Sequence, residues 1–488
     1  MTTEIELKFQ VPPEHAEELE AALRRGPVEQ RRLRARYYDT PLEALARHRL
    51  VLRLRQEGSD WVQAAKGPGR DGFERLEDEA PVVSPDAPPD ISLHGAHPLG
   101  KLLRKALGNA AQELRPVYET DVTRLTRVVE AAGTTVEIAL DRGQVRAGKR
   151  RHPIQEVEFE LKQGSPAAAV ELAQSWCEEH GLWLDPLSKS EQARRVANGV
   201  TQPPAVLAEP VTGGCDSPSM LLAQVLGSAL AQVLGNAREV AAGSAGDQHV
   251  HQLRIGLRRL RTVLRELRGI AGLHTLDPAT EPKLREVFQV LGHHRDRATL
   301  IPALQGELAQ AGAPSLQGWT PELPALDAAV RDKAFQDALL QLIVMVYELR
   351  DAPDETSMKA TRKTVADRLD KLLKQVARSG RKFEALPDDE RHRVRKRQKR
   401  LRYLAELVRP IFPAKDVDRF VKSLKNLQDA LGEYQDAATA RTLFTEHARD
   451  DQPAWFAVGW LAAREREIAA QCERACREAV AQAKPFWK

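Results

Sequence analysis

The sequence predicts an α+β domain followed by an all-α domain, and three observations predict it. Residues 1–200 contain short runs that alternate apolar and polar, with β-branched residues among the apolar ones. Residues 218–488 repeat Ala, Leu, Arg, Lys and Gln at helical spacing almost to the end. Between them, residues 201–217 are rich in Pro and Gly and have no periodicity, the composition of a linker. The charge changes sign across that linker. The whole chain has 73 Lys+Arg against 69 Asp+Glu, a formal charge of +4, but residues 1–200 hold 29 against 32 and residues 201–488 hold 44 against 37. At 488 residues and 42% hydrophobic composition, each part can bury a core, and wholesale disorder is excluded. No run of about 18 consecutive apolar residues occurs, so no membrane-spanning helix is expected. The start, Met1-Thr-Thr-Glu-Ile-Glu-Leu-Lys8, has acids where a signal peptide needs basic then apolar residues, so a cytoplasmic location is expected. Four dispersed cysteines exclude a disulfide framework, and Cys472 and Cys476, one helical turn apart with no neighbouring His, read as small apolar residues.

In the first half, residues 4–9 put Glu4, Glu6 and Lys8 on one strand face and Ile5, Leu7 and Phe9 on the other. A helix near 13–25 follows. Residues 50–55 oppose Arg53 and Arg55 to Leu52 and Leu54; residues 134–141 form another strand; residues 154–161 gather Glu156, Glu158 and Glu160 opposite Val157, Phe159 and Leu161. The pairs Glu57-Gly58, Ala132-Gly133 and Arg142-Gly143 read as turns between antiparallel hairpins. A second helix spans about 166–180. One strand of this kind has a solvated face and nothing more. Across several strands, though, the acids come in sets and the arginines in a pair, segregated by sign. Like charges side by side repel, so something must compensate them: a divalent metal for the acids and phosphate for the arginines.

These residues resemble the CYTH superfamily, the triphosphate tunnel metalloenzymes. Glu4-Ile-Glu-Leu-Lys8 matches its ExExK signature, and the rest follows in order: Tyr38-Asp39-Thr40, Leu52-Arg-Leu-Arg55, Lys66 before Gly-Pro-Gly, Arg75-Leu-Glu77, Thr120-Asp121 with Arg124, Glu137-Ile-Ala-Leu-Asp141, Glu156-Val-Glu158 and Leu187-Ser-Lys189. The resemblance covers residues 1–200 and implies an eight-stranded antiparallel barrel around a polar tunnel. It implies that Lys8, Arg53, Arg55, Lys66, Arg75, Arg124 and Lys189 bind the phosphates of the substrate. Glu4, Glu6, Asp141, Glu156 and Glu158 would hold Mg2+ or Mn2+, with Glu77 nearby; Glu4, Glu6, Lys8 and Glu77 form the catalytic set. Two points stay open: which of Glu77, Asp78 and Glu79 faces inward, and whether Glu160 replaces one of Glu156 and Glu158. No Ser-His-Asp set and no Gly-rich phosphate loop occurs. The activity implied is hydrolysis of inorganic triphosphate, with thiamine triphosphate, ATP (adenylate cyclase) and a non-catalytic polyphosphate-binding tunnel as alternatives.

The second half repeats itself. His251-Gln-Leu-Arg254-Ile-Gly-Leu-Arg258-Arg-Leu-Arg261 aligns with His392-Arg-Val-Arg395-Lys-Arg-Gln-Lys399-Arg-Leu-Arg402, and Leu291-Gly-His-His-Arg-Asp296 with Leu431-Gly-Glu-Tyr-Gln-Asp436. The common spacing of about 140 residues indicates a duplicated helical unit, about 218–350 and 358–488. At about 100° per residue, His251, Arg254, Arg258, Arg261 and Arg265 fall within about 80° of one helix face. Leu253, Leu257, Leu260, Leu264 and Leu267 form the opposite, core-facing stripe. His392, Arg395, Lys399 and Arg402 repeat the basic stripe over Val394, Leu401 and Ala405. Residues 391–402 contain eight Lys or Arg and no acid. A solvated face mixes signs, so the stripe indicates a polyanion partner. Nucleic acid fits poorly, since the stripes lack interleaved aromatics and any groove-reading motif. This half resembles the CHAD domain, whose histidines correspond to His251 and His392. The resemblance spans residues 218–488 and implies two pseudo-symmetric helical bundles around a basic pocket for inorganic polyphosphate. Asp296 and Asp436 are expected to orient basic side chains, and each His is either a structural residue or a phosphate donor.

Overall fold

The computed structural model describes residues 5–68, 75–82, 88–131, 133–211, 215–270, 276–314, 322–354 and 356–488. These form two compact units: residues 1–206 with 233–249 and 330–344, and residues 207–232 with 250–329 and 345–488.

The first unit is built on one antiparallel sheet. Its strands are β1 (Ile5–Gln10), β2 (Glu29–Asp39), β3 (Val51–Glu57), β4 (Asp60–Pro68), β5 (Arg75–Val82), β6 (Arg115–Ala131), β7 (Thr134–Ala147), β8 (Arg150–Gln163) and the two-residue β9 (Trp183–Leu184). They pair in the order β5-β4-β3-β2-β6-β7-β8-β1-β9. The expected eight long strands are present with a short ninth. Among the described residues no ladder joins the β5 and β9 edges. The helices are α1 (Ala16–Leu23), α2 (Ala44–Arg47), α3 (Pro98–Leu107), α4 (Pro166–His180) and α5 (Lys189–Asn198).

Period-two alternation decides which face each residue takes. Ile5, Leu7 and Phe9 of β1 and Val157 and Phe159 of β8 are buried. The Phe9 and Phe159 rings meet edge to face at 5.6 Å, and Phe159 meets Trp176 of α4 at 6.0 Å. Beside β3 and β4, α3 packs Leu99, Leu103 and Leu107 against Leu50, Leu52 and Ala65. Each such leucine contributes about 1.5–3 kcal/mol of burial. The other face carries the charged rows. At one end of it lies α5, with Ala193 and Val196 against Val122, Val145 and Ile154. Ser188 caps α5, accepting from the Glu191 N–H at 3.2 Å, and Gly199 ends it in the left-handed region, so its start at Lys189 is fixed.

Arg142-Gly143 is not a turn. Both residues lie inside β7, and the hairpin turns instead at Gly148, with φ +58°. Gly143 is there because the chains approach closely: a Cβ would lie 2.1 Å from the Asp121 carbonyl oxygen and 2.6 Å from Val122 Cα. Segments beyond the linker also belong to the first unit. Arg195 pairs with Glu239 at 2.7 Å, Arg238 with Asp185 at 3.2 Å, and the Leu184 N–H donates to Gln336 Oε1 at 2.9 Å.

The helical region runs through α6 (Pro218–Ala241), α7 (Asp247–Glu266), α8 (Thr280–Arg295), α9 (Ile301–Gln310), α10 (Leu326–Arg331), α11 (Lys333–Asp351), α12 (Met358–Gly380), α13 (Asp388–Leu407), α14 (Ala414–Ser423), α15 (Lys425–His447) and α16 (Ala454–Gln482). A π-helical turn, Asp296–Leu300, links α8 to α9. α7 and α13 carry the repeated motif, and the stripe from Leu253 to Leu267 is buried along with Val394, Leu401 and Ala405. Contrary to the expectation from consecutive apolar residues, α6 is long and apolar enough to cross a membrane. Gln224, Ser228 and Gln232 interrupt the run without charging it, and 72% of its most apolar window is buried inside the protein. Cys472 and Cys476 are buried free thiols, and burial pushes Cys476 up to about 11.

Candidate functional site

Strand register brings the charged rows together on the open face of the first unit. Lys8 stands opposite Glu158, and Gln10 opposite Glu156, between β1 and β8. Asp141 of β7 stands opposite both Glu156 and Arg124 of β6. Carboxylate oxygens of Asp141, Glu156 and Glu158 consequently lie within 4.8 Å of one another. An all-carboxylate set of this size suits a hard divalent cation such as Mg2+ or Mn2+.

Three cations stand among these acids. Arg124 forks onto Asp141, Nε to Oδ1 at 2.8 Å and Nη2 to Oδ2 at 2.6 Å, and reaches Glu158 at 2.5 Å. Lys8 Nζ donates to Glu156 Oε2 at 2.8 Å and to the Leu187 carbonyl. Lys189 Nζ lies 2.7 Å from Asp141, 2.5 Å from Glu156 and 2.7 Å from Glu158. Burial disfavours the Lys189 charge, but the three carboxylates outweigh it and hold its pKa well above the ordinary value. Burial likewise opposes charge on Arg124, yet Glu158 and Asp141 raise its pKa. Glu158 would be raised by burial, but Lys189 and Arg124 carry it far below the usual carboxylate range. Lys8, Arg124 and Lys189, expected against phosphate, therefore lie on carboxylates, because β1, β6 and the start of α5 bring them within reach of the acids of β7 and β8. Glu6 is one pair along β1, opposite Glu160, and adds to the negative field on Arg124. Glu160 pairs with Lys162 at 2.6 Å, so the group of three contains Glu156 and Glu158 rather than Glu160. Glu4 lies outside the described residues.

A second group forms across β3, β4 and β5. Lys66 meets Glu77 at 2.7 Å, Arg53 lies 3.7 Å from Glu77, and Arg55 meets Glu79 at 3.0 Å. Asp78 points the other way, 2.8 Å from His94 Nδ1, so the inward acids of this strand are Glu77 and Glu79. Burial would raise Glu77, but Lys66 and Arg53 bring it below its ordinary value. The Nε atoms of Arg53 and Arg55 are buried without a hydrogen-bond acceptor. Sequence reasoning missed Tyr37, which accepts from Arg53 and to which alternation from Ala35 points. Arg75 lies on β5 opposite Pro68, and its side chain is outside the described residues.

In the helical unit the two basic stripes behave differently from these groups. Arg254, Arg258 and Arg261 surround the Phe288 ring, with guanidinium carbons 4.8, 5.2 and 5.5 Å from its centroid. Arg258 donates to Tyr403 Oη at 3.3 Å. Among the described residues no carboxylate lies within 4 Å of Arg254, Arg258, Arg395 or Lys399, whereas Arg261 pairs with Glu281 at 2.6 Å and Arg402 with Glu406 at 2.8 Å. Burial, followed by Arg258, lowers Arg254 and Arg395 to about 10 each. Burial, with Arg258 and Arg395 next, lowers Lys399 to about 6. His251 is lowered by burial and then by Arg295, and His392 Nδ1 meets Gln435 Oε1 at 2.7 Å. Asp436 accepts a forked pair from Arg295, at 2.9 and 3.0 Å, and Asp296 lies 3.3 Å from the same guanidinium. Phe288 and Arg295 were not singled out from the sequence, although Arg295 sits inside the second repeated motif.

Residues 2–193 match the model of the CYTH domain and residues 224–445 that of the CHAD domain. Over 198 residues the chain is 29% identical to the inorganic triphosphatase of Haemophilus influenzae; the match takes in 39% of this chain and 54% of that protein, about half its length. An uncharacterized protein of Mycobacterium tuberculosis is 26% identical over 497 residues, covering 92% of this chain and 88% of that one. The solved CHAD domain of the plant Ricinus communis covers 58% of this chain and 98% of its own, at 23% identity and a TM-score of 0.46. With the two domain models matched in succession, the chain belongs to the proteins that join an N-terminal CYTH domain to a C-terminal CHAD domain.

Proposed function

We propose that the chain is a metal-dependent triphosphatase that hydrolyses inorganic triphosphate to phosphate and diphosphate, and that its helical unit binds inorganic polyphosphate. The observation that carries the first part is the segregation of the charged face: a three-carboxylate group at one end, and at the other buried Arg53 and Arg55 whose Nε donors have no acceptor. Asp141, Glu156 and Glu158, with Glu6 alongside, would hold Mg2+ or Mn2+. Bound there, the metal supplies charge neutralisation and a more acidic water. Arg53, Arg55 and Lys66 bind the phosphate chain, with the planar guanidinium forks matched to its oxygens. Tyr37 orients Arg53, and α5 covers one end of the face and keeps bulk water away. Phosphoryl transfer gains mainly from positioning and charge, so no protein nucleophile is needed. The triphosphatase relative supports this reading.

With tripolyphosphate and Mg2+, Glu156→Gln and Glu6→Gln are each expected to lower phosphate release on the order of a hundredfold. Full activity in both would sink the metalloenzyme reading. A parallel panel of ATP and thiamine triphosphate separates the substrates. The pairing of the carboxylates with Lys189 also favours a second reading, a tunnel that binds polyphosphate without turnover; phosphate release that depends on added metal excludes it.

A further inference from the structure

Lys189 occupies the centre of the carboxylate group. Its ammonium touches one oxygen from each of Asp141, Glu156 and Glu158, at 2.7, 2.5 and 2.7 Å. The other two cations lie at the edges: Arg124 is fixed by its fork on Asp141, and Lys8 takes the other oxygen of Glu156. Lys189 is also the one of the three that is anchored outside the sheet. It is the first residue of α5, on a flexible four-carbon stem, immediately after the Ser188 cap. We propose, resting on the metal-dependent reading above, that Lys189 is a built-in counter-ion that competes with the divalent metal for the same three carboxylates. In the metal-free protein its ammonium, with Arg124 and Lys8 at the edges, neutralises the group. A divalent ion seated among the three carboxylates would take the place of the central ammonium, so Lys189 leaves when the group is loaded, and a phosphate chain in the tunnel gives the ammonium a new partner. Lys189 thus ties loading of the carboxylates to arrival of the anion, and discourages metal binding without substrate.

The test titrates the full chain with Mn2+ alone, without any phosphate, by calorimetry or by electron paramagnetic resonance of free Mn2+. Lys189→Met is expected to bind Mn2+ on the order of tenfold more tightly than the unsubstituted protein. Its melting temperature is expected to start lower and to rise further with Mn2+, because the three carboxylates have lost the one cation they share and keep only Arg124 and Lys8. Lys189→Gln, which keeps a polar side chain, is expected to behave the same way and guards against a packing defect in the Met variant. Equal or weaker Mn2+ binding in both variants overturns the counter-ion role, while metal-dependent hydrolysis by the unsubstituted protein would leave the triphosphatase reading standing. If neither the protein nor its variants bind Mn2+ and hydrolysis needs no metal, both fail together.

Discussion

The tunnel face and the helical basic face both gather arginine and lysine, yet they treat charge in opposite ways. In the tunnel every cation described has an acid beside it: Arg124, Lys8 and Lys189 stand against Asp141, Glu156 and Glu158, and Lys66, Arg53 and Arg55 against Glu77 and Glu79. At Arg124, Lys189 and Arg53 burial is overcome by attraction, and their pKa values rise. In the helical unit Arg254, Arg258, Arg395 and Lys399 face one another, and burial and repulsion act together to lower Arg254, Arg395 and Lys399. A face that carries its own counter-charges is stable when empty and must exchange partners to work. A face of one sign is strained when empty, so an anion bound there would stabilise it more.

The sharpest way to break this contrast is to remove the unmatched cations. The double variant Arg254→Ala, Arg395→Ala is expected to weaken binding of long-chain polyphosphate by at least about a hundredfold, at about 1.5–3 kcal/mol for each of the two charged contacts. Tripolyphosphate hydrolysis by the same protein is expected to stay unchanged, and a matching loss of hydrolysis would merge the two faces into one site.

A second, smaller effect comes from pH. The folded pKa of Lys399, about 6, lies below the ordinary 10.5. Between those values the unfolded chain holds more protons, so stability rises with pH across that window, and the full penalty is present below about 6. A polyanion favours the charged form, so polyphosphate binding is expected to take up a proton and to tighten severalfold as pH falls from about 8 toward 6. Lys399→Met is expected to flatten that dependence and to raise the melting temperature of the free protein; calorimetry in buffers of different ionisation enthalpy reads the proton directly.

The smallest effect is expected where the helical face resembles the tunnel. Arg261 and Arg402 already have Glu281 and Glu406, so Arg261→Ala or Arg402→Ala should cost polyphosphate affinity only about twofold. A loss as large as that of Arg254→Ala would show that matching by acids does not set the contribution of each cation.

Much of this was legible in the sequence because period determines face. The alternation in residues 4–9, 50–55 and 154–161 identified which charges share a side, and helical phase identified which basic residues of α7 and α13 share a stripe. Alternation does not say which partner lies across the ladder. Lys8 and Lys189 read as phosphate ligands, and only the register of β1 with β8 and the docking of α5 set them on Glu156 and its neighbours. The run from Glu77 to Glu79 could not be sorted by charge, since all three are acids; His94, a residue distant in sequence, takes Asp78. Phe288 and Arg295 come from α8, outside the stripe that periodicity examined. The Pro- and Gly-rich linker marks a break in texture, while Glu239 and Gln336 beyond it pack with the first unit, a choice made by tertiary contacts.

Gly143 has a reach larger than its size. Where β6 crowds β7, only a residue without a side chain fits, and sliding β7 by one position would bring Arg142 or Gln144 against the Asp121 carbonyl oxygen. The same slide would turn Asp141 to the opposite side of the sheet, away from Arg124 and Glu156. A single hydrogen in place of a methyl group thus works as a registration mark for the whole charged face, and a chain that loses it has the right residues printed on the wrong side.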